Sequence, residues 1–321
     1  MKEVNLREAD RLEVVCLVDN YSDNLLKDSP IVKRLRVLPP QGPLAESGLS
    51  LLIKVYAGSE EHTILFDTGI SGTSLLHNAS LLSKSAAKMK GEIKADIKDV
   101  EAVVLSHGHY DHFGGLLAFL QTTGADMPLY LHPGAFVKRR FTVKPGLRFD
   151  MAGIDQQALS DTGVELNGVE HPYAVASDLI LVSGEVERIT VFEKGFPGME
   201  AKIAGDWVND QILDDQGLAI KVKGLGLVVM SGCAHAGIIN TVRYIRKITG
   251  TEKLHAVMGG FHLSGEKESD IDPTIAEMKD VNPDYIIPMH CTGWKAINQF
   301  SAQMPEQFIL NCVGSSYIFQ A

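Results

Sequence analysis

Short apolar runs alternate with segments of helical period along the whole 321-residue chain. Residues 12–18 (Leu-Glu-Val-Val-Cys-Leu-Val) predict a first strand. Residues 49–56 and 62–67 predict two more, joined at Gly58-Ser59-Glu60-Glu61 as a hairpin that ends in Asp67-Thr68-Gly69. Residues 71–92 follow a helical period, and residues 101–105 predict a short buried strand. The segment from Phe113 places apolar residues at 116, 117, 119 and 120, which is the spacing of one helix face. The middle of the chain, about 133–212, is less regular. It offers strand candidates at 163–167, 179–182 and 188–192, then a loop-like stretch, Lys194-Gly195-Phe196-Pro197-Gly198, and Trp207. A region of this kind serves as a lid, as a plain surface insertion or as a contact in a homo-oligomer. The pattern then sharpens. Strands at 217–223 and 225–230 turn at Gly224, followed by a helix (238–248), a strand (254–258), a helix (273–280), a strand (285–288), a helix (293–303) and strand-like runs at 307–310 and 315–319. Strands that alternate with helices in this way predict an α/β class.

Composition narrows the picture. At 45% hydrophobic residues the chain can bury a sizeable core. Length alone suggests about two domains, but α/β folds of this size also close around one core, and residues 1–321 are read as a single domain. No run of eighteen apolar residues occurs, and the charged start Met1-Lys2-Glu3 is no signal peptide, so a cytoplasmic protein without a membrane segment is expected. Four scattered cysteines, Cys16, Cys233, Cys291 and Cys312, form no CxxC pair and read as reduced, mostly buried thiols. The formal net charge of -10 argues against nucleic acid as a partner and leaves a small-molecule substrate. The basic triplet Lys138-Arg139-Arg140 reads as solvated surface.

The chemistry concentrates in Leu105-Ser106-His107-Gly108-His109-Tyr110-Asp111-His112-Phe113-Gly114-Gly115. Three imidazoles and a carboxylate fall within six positions, and such nitrogen and oxygen donors suit zinc, iron or manganese. A strand end turning into a helix can point alternate side chains inward. His107 and His109 would then grip one ion while Asp111 and His112 face a second. Gly108 and Gly114-Gly115 allow the backbone to turn tightly there.

His107-Gly108-His109-Tyr110-Asp111-His112 resembles the HxHxDH signature of the metallo-β-lactamase superfamily, and Leu65-Phe66-Asp67-Thr68-Gly69 resembles its preceding strand motif. The resemblance implies a four-layer αββα sandwich and a metal centre for one or two divalent ions, zinc first, with iron or manganese as alternatives. It implies metal ligands at His107, His109, Asp111 and His112, with Asp111 and His112 also catalytic. Further ligands come from strand ends, which assigns His235 and His290. Asp67 would support the ligands from behind, or merely cap the turn at Thr68-Gly69. Asp19 and Cys233 would support the centre as well. Where the superfamily usually carries a bridging aspartate, this chain has Gly232-Cys233, so Cys233 is either a thiolate ligand or a small packed residue. Asp215 is either a ligand or a strand cap. His262, in Gly259-Gly260-Phe261-His262-Leu263, would reach the substrate or a metal, or have neither role. His62, His77, His132, His171 and His255 read as structural or exposed.

Gly-Cys-Ala-His-Ala-Gly at 232–237, Gly-Gly-Phe-His-Leu at 259–263 and Pro-Met-His-Cys-Thr-Gly at 288–293 are more specific. With Val18-Asp19-Asn20 and Glu46-Ser47-Gly48-Leu49-Ser50 they resemble the 7,8-dihydropterin-6-ylmethyl-4-(β-D-ribofuranosyl)aminobenzene-5'-phosphate synthase subgroup. The likeness runs from about residue 13 to 319 and is weakest in the middle. It implies an enzyme of methanopterin-type carrier synthesis that joins a dihydropterin methyl diphosphate to an aminobenzene ribofuranosyl phosphate and expels diphosphate. With a metal-bound hydroxide in place of the amine, the same centre would be a phosphoester or ester hydrolase. An RNA-processing enzyme of this fold, or a redox relative with a single iron, are further alternatives.

Overall fold

A computed structural model describes residues 4–37, 40–86, 96–144, 146–196 and 198–321. Two large sheets carry the chain. One runs, in spatial order, Glu165–Gly168, Pro128–Leu131, Ala102–Val104, Glu60–Phe66, Ser50–Ala57, Arg11–Val18, Ser316–Gln320 and Val32–Lys33. The other runs Tyr173–Val175, Ile180–Val182, Gly217–Val222, Gly226–Ser231, Leu254–Gly260 and Tyr285–Met289, with the short strand Glu8–Ala9 beside Gly217–Val222.

Side chains alternate across each strand, and both faces of both sheets are covered. Leu51, Ile53 and Val55 point inward and pack with Ile220, Val228 and Met258 of the opposite sheet. Their alternates Val15, Leu52 and Leu65 point outward onto Leu75 of helix Gly72–Ala86 and Phe119 of helix Leu116–Thr123. On the far side, Ala219, Val229 and Val257 pack with Ile239, Val242 and Ile245 of helix Ile238–Thr249. Helix, sheet, sheet and helix thus stack in four layers, as expected. Double-sided burial is also why these strands read as continuous apolar runs instead of alternating ones.

Parallel pairing decides where chemistry can sit. Glu60–Phe66 is parallel to Ala102–Val104, and Gly226–Ser231, Leu254–Gly260 and Tyr285–Met289 are mutually parallel. Their C-terminal ends release the chain at Asp67, Ser106, Gly232, Phe261 and His290, and these ends line one edge of the sandwich.

The middle region departs from expectation. Strands Arg139–Lys144, Leu147–Asp150, Met199–Ile203 and Asp206–Asn209 build a separate four-stranded sheet. The candidates at 163–167 and 179–182 are strands Glu165–Gly168 and Ile180–Val182, but 188–192 is not a strand. Its Ile189 and Thr190 amides donate to Asn240 Oδ1 on a helix, 2.9 Å each, which removes them from any ladder. The run at 307–310 is reduced to one bridge, Phe308 to Ile286. The last part of the expected helix, 87–92, and Pro197 of the loop lie outside the described residues. Among the described residues no helix is long and apolar enough to cross a membrane.

Candidate metal centre

The six residues expected to ligate metal converge from both halves of the sandwich and are brought together as two groups of donor atoms. In the first, His107 Nε2 lies 3.0 Å from His109 Nδ1, which lies 3.1 Å from His235 Nε2. In the second, His290 Nε2 lies 3.1 Å from Asp111 Oδ2, which is 3.9 Å from His112 Nε2. Cys233 joins both: it clusters with His107 and His235, and with Asp111, His112 and His290. Its Sγ is 3.0 Å from His112 Nε2. All of these side chains are buried except that of Asp111, which is 32% exposed.

Residues behind the donors fix their aim. Asp67 Oδ1 accepts from the Ser106 amide and Asp67 Oδ2 from the Ser106 hydroxyl, 2.7 Å each, while Oδ2 also sits 2.6 Å from His112 Nδ1. That contact turns His112 Nε2 toward Cys233 and Asp111. Ser106 Oγ lies 2.9 Å from His107 Nδ1, so one hydroxyl links two ligating residues. Asp19 accepts from the His290 amide at 2.8 Å and from Asn311 Nδ2 at 2.6 Å. Asn20 Oδ1 stands 3.1 Å from His290 Nδ1. Asp214 accepts from the Gly108 amide at 2.8 Å and pairs with buried Arg139, which also donates to Asp210 at 2.7 Å. Asp215 accepts from the Ala236 amide at 2.8 Å, behind His235 and apart from the donor groups.

The backbone is shaped for these approaches. A Cβ on Gly232 would meet Ser106 Oγ at 2.0 Å, and one on Gly108 would meet Ala135 O at 2.2 Å. Asp67, Ala234, His262 and His290 hold left-handed φ values of 58°, 55°, 45° and 48°. Non-glycine residues adopt that region at a cost, and such positions gather where a site dictates side-chain direction.

Burial sets the protonation of the donors. Burial and neighbouring imidazoles hold His107 and His235 well below the usual histidine range, and burial with Arg139 nearby lowers His109 to about 3. These rings are neutral near pH 7 and keep a lone pair for a cation. Burial alone would lower His112, but Asp67 and Asp111 outweigh it and raise it to about 9. Burial pushes the Asp111 carboxyl up, and His112 and His290 override it and hold it well below the ordinary carboxylate range.

The donor set fits divalent cations of the zinc, iron or manganese kind. His109 Nε2 and His235 Nδ1 are buried without a hydrogen-bond partner. Isolated polar atoms of that sort are costly unless something coordinates or pairs with them.

His262 stands at the rim. Its ring centre is 4.3 Å from that of His235 and 4.8 Å from Phe196, and it clusters with Cys233 and Cys291. The other histidines serve elsewhere: His62 pairs with Glu101, His77 bonds Gly42 O, His132 caps the turn at Gly134 and His255 pairs with Asp284. The basic triplet is not uniformly solvated, because Arg139 is buried in its ion pairs and Arg140 is held by Glu200. Sequence reasoning assigned no role to Ser106, Asn20, Asp214, Phe196 or Glu193. Ser106 and Asn20 adjoin motif residues, which is the signal that could have found them. Glu193 carries no local signal, since its partners Ile239 N and Asn240 N lie far along the chain, 2.9 Å away in space.

Residues 45–191 match the profile of the metallo-beta-lactamase superfamily. The 7,8-dihydropterin-6-methyl-4-(beta-D-ribofuranosyl)-aminobenzene-5'-phosphate synthase of Methanocaldococcus jannaschii is 30% identical over 312 residues, covering 95% of this chain and 96% of that protein. An uncharacterized protein of the same organism is 31% identical over 261 residues, covering 80% of this chain and 88% of its own. Among solved structures, Tm1679, described as a metal-dependent hydrolase of the beta-lactamase superfamily, superimposes with a TM-score of 0.70 at 23% identity, over 97% of this chain and 99% of its own.

Proposed function

Because the chain belongs to the metallo-β-lactamase superfamily, we propose that it is a metal-dependent enzyme acting on a phosphorylated or pterin-like small molecule. The reaction is the condensation of a dihydropterin methyl diphosphate with an aminobenzene ribofuranosyl phosphate, with loss of diphosphate. The observation that carries this reading is the meeting of His107, His109 and His235 with Asp111, His112 and His290 around Cys233. The near full-length likeness to the Methanocaldococcus synthase supports the substrate class. Residues 1–321 act as one domain in this reading, since both halves contribute donors.

Zinc is the proposed ion, with iron or manganese as alternatives, one held by His107, His109 and His235 and another by Asp111, His112 and His290. Divalent ions held there would neutralise the negative charge that grows on a departing diphosphate. The chain's own groups do the rest. Asp67 and Ser106 lock His107 and His112 in orientation. Asp19 and Asn20 do the same for His290. Asp111, ionised and partly exposed, adds its negative charge to the donor group that it shares with His112 and His290.

Incubation with the dihydropterin diphosphate, with and without the amine, tests the proposal. Diphosphate release that requires the amine, with a coupled product by mass spectrometry, is the expected result. Release at the same rate without the amine would make the protein a hydrolase and overturn the synthase reading.

A further inference from the structure

Two cysteines from separate strand-end loops meet beside the donor groups. Cys291 Sγ lies 3.3 Å from Cys233 Sγ and 3.7 Å from the Cys233 carbonyl. All four cysteines are free thiols in this structure, and the other two, Cys16 and Cys312, are buried. Cys16 Sγ is engaged by Asn311 Nδ2 at 3.2 Å, and Cys312 Sγ sits 3.3 Å from Ser315 Oγ. Only Cys291 of the four is part-exposed. Its sulfur abuts Gly260, where a Cβ would come within 2.8 Å of it. The absence of a side chain at 260 is therefore what lets the two loops bring sulfur against sulfur.

We propose that Cys233 and Cys291 form a modification site, a thiol pair that a peroxide converts to a reversible disulfide. The Cys291 sulfur, the reachable one, attacks a hydrogen peroxide oxygen. The O–O bond breaks and the leaving oxygen departs as water, which produces a sulfenic acid. The Cys233 sulfur then attacks the Cys291 sulfur. The S–S bond forms, the S–O bond breaks, and the second oxygen departs as water carrying the remaining thiol proton. Two thiols are oxidised, one peroxide is reduced to two waters, and a dithiol reductant reverses the change by exchange. The consequence at the centre rests on the metal reading above. Cys233 belongs to both donor groups, so tying its sulfur to Cys291 takes a donor from each and draws it away from His112.

The test treats the full-length, metal-loaded protein with stoichiometric hydrogen peroxide. Free thiols are counted under denaturing conditions, the intact mass is measured, and cysteine-containing peptides are mapped without reduction. The expected result is a fall from four free thiols to about two, a mass loss of two hydrogens, and one cross-linked peptide pair joining residues 233 and 291. Dithiothreitol should restore all of these. Bound metal, measured separately, should fall on oxidation and return on reduction and reloading. Cys291→Ser and Cys233→Ser, checked for folding by circular dichroism, should each abolish the cross-link, and Cys233→Ser, which keeps the reachable sulfur, should gain oxygen mass instead. Persistence of four thiols, oxygen addition in the wild type without a cross-link, or a cross-link through Cys16 or Cys312 would overturn the proposal. A 233–291 cross-link with unchanged metal content would uphold the thiol chemistry and sink the metal reading alone.

Discussion

At Asp67, two carboxylate oxygens serve the Ser106 amide, the Ser106 hydroxyl and the His112 ring, all without exposure to water. Removing the carboxylate strands three buried polar partners, and leaving a buried ionic partner unpaired typically costs about 3–5 kcal/mol. Asp67→Ala should therefore lower unfolding stability by that order in urea titrations, and should lose the ion held by Asp111, His112 and His290 ahead of the ion held by His107, His109 and His235. Equal loss of both ions, or unchanged stability, would contradict the supporting role given to Asp67. The short-range pattern His-x-His-x-Asp-His was legible in the sequence because all its members lie on one strand-to-helix turn. The partnership of Ser106 with Asp67 was not, because it depends on Gly232 coming close enough that even one added carbon would collide with Ser106.

Helix Ile238–Thr249 begins at Gly237 without an N-cap side chain of its own. Glu193, from a loop 46 residues earlier, accepts from Ile239 N and Asn240 N in its place. Burial pushes the Glu193 carboxyl up to about 7, although these amides pull it down. The native protein thus keeps a proton that the unfolded chain gives up near 4.5. The stability contributed by that proton is complete below the unfolded value and is lost as pH rises through about 7. In Glu193→Gln this dependence disappears. The wild-type-minus-variant unfolding free energy should fall by roughly 3 kcal/mol between pH 4.5 and pH 8, at about 1.4 kcal/mol per pKa unit. Parallel pH profiles for the two proteins would rule out this account of Glu193. In the outer helical layer, fully buried Phe119 packs under the first sheet, and Phe119→Ala should cost about 3–5 kcal/mol by denaturant titration. The long strands of the two large sheets were readable because their apolar runs are buried on both sides, whereas the short strands Val32–Lys33, Pro128–Leu131 and Tyr173–Val175 were not. The four-stranded middle sheet was not. Its strands are four to six residues long, interleave charge with apolar side chains, and leave Val143, Phe149, Ile203 and Val208 exposed. The stretch 188–192 misled in the opposite sense. Ile189 and Val191 look like strand residues but are 57% and 82% exposed, and the backbone beside them is bound to Asn240.

Across the whole molecule, parallel strands in each sheet end at one edge, and that placement brings residues 67, 107–112, 232–235, 262 and 290 together. The strand-end positions of His235 and His290 could be read from the sequence. The sharing of Cys233 between two donor groups could not, because it depends on how the two halves face each other. The excess of acidic side chains, with Arg139 and Arg140 committed to ion pairs, predicts no retardation of RNA in a gel shift at physiological salt. A salt-sensitive shift would instead favour an RNA-processing role. The central claim concerns the cations, and anomalous diffraction from crystals of the metal-loaded protein addresses it most directly. Two peaks are predicted, one within about 2.0–2.2 Å of nitrogens of His107, His109 and His235, the other at similar range from Asp111, His112 and His290. Density-free space between imidazoles that turn away from one another would contradict it.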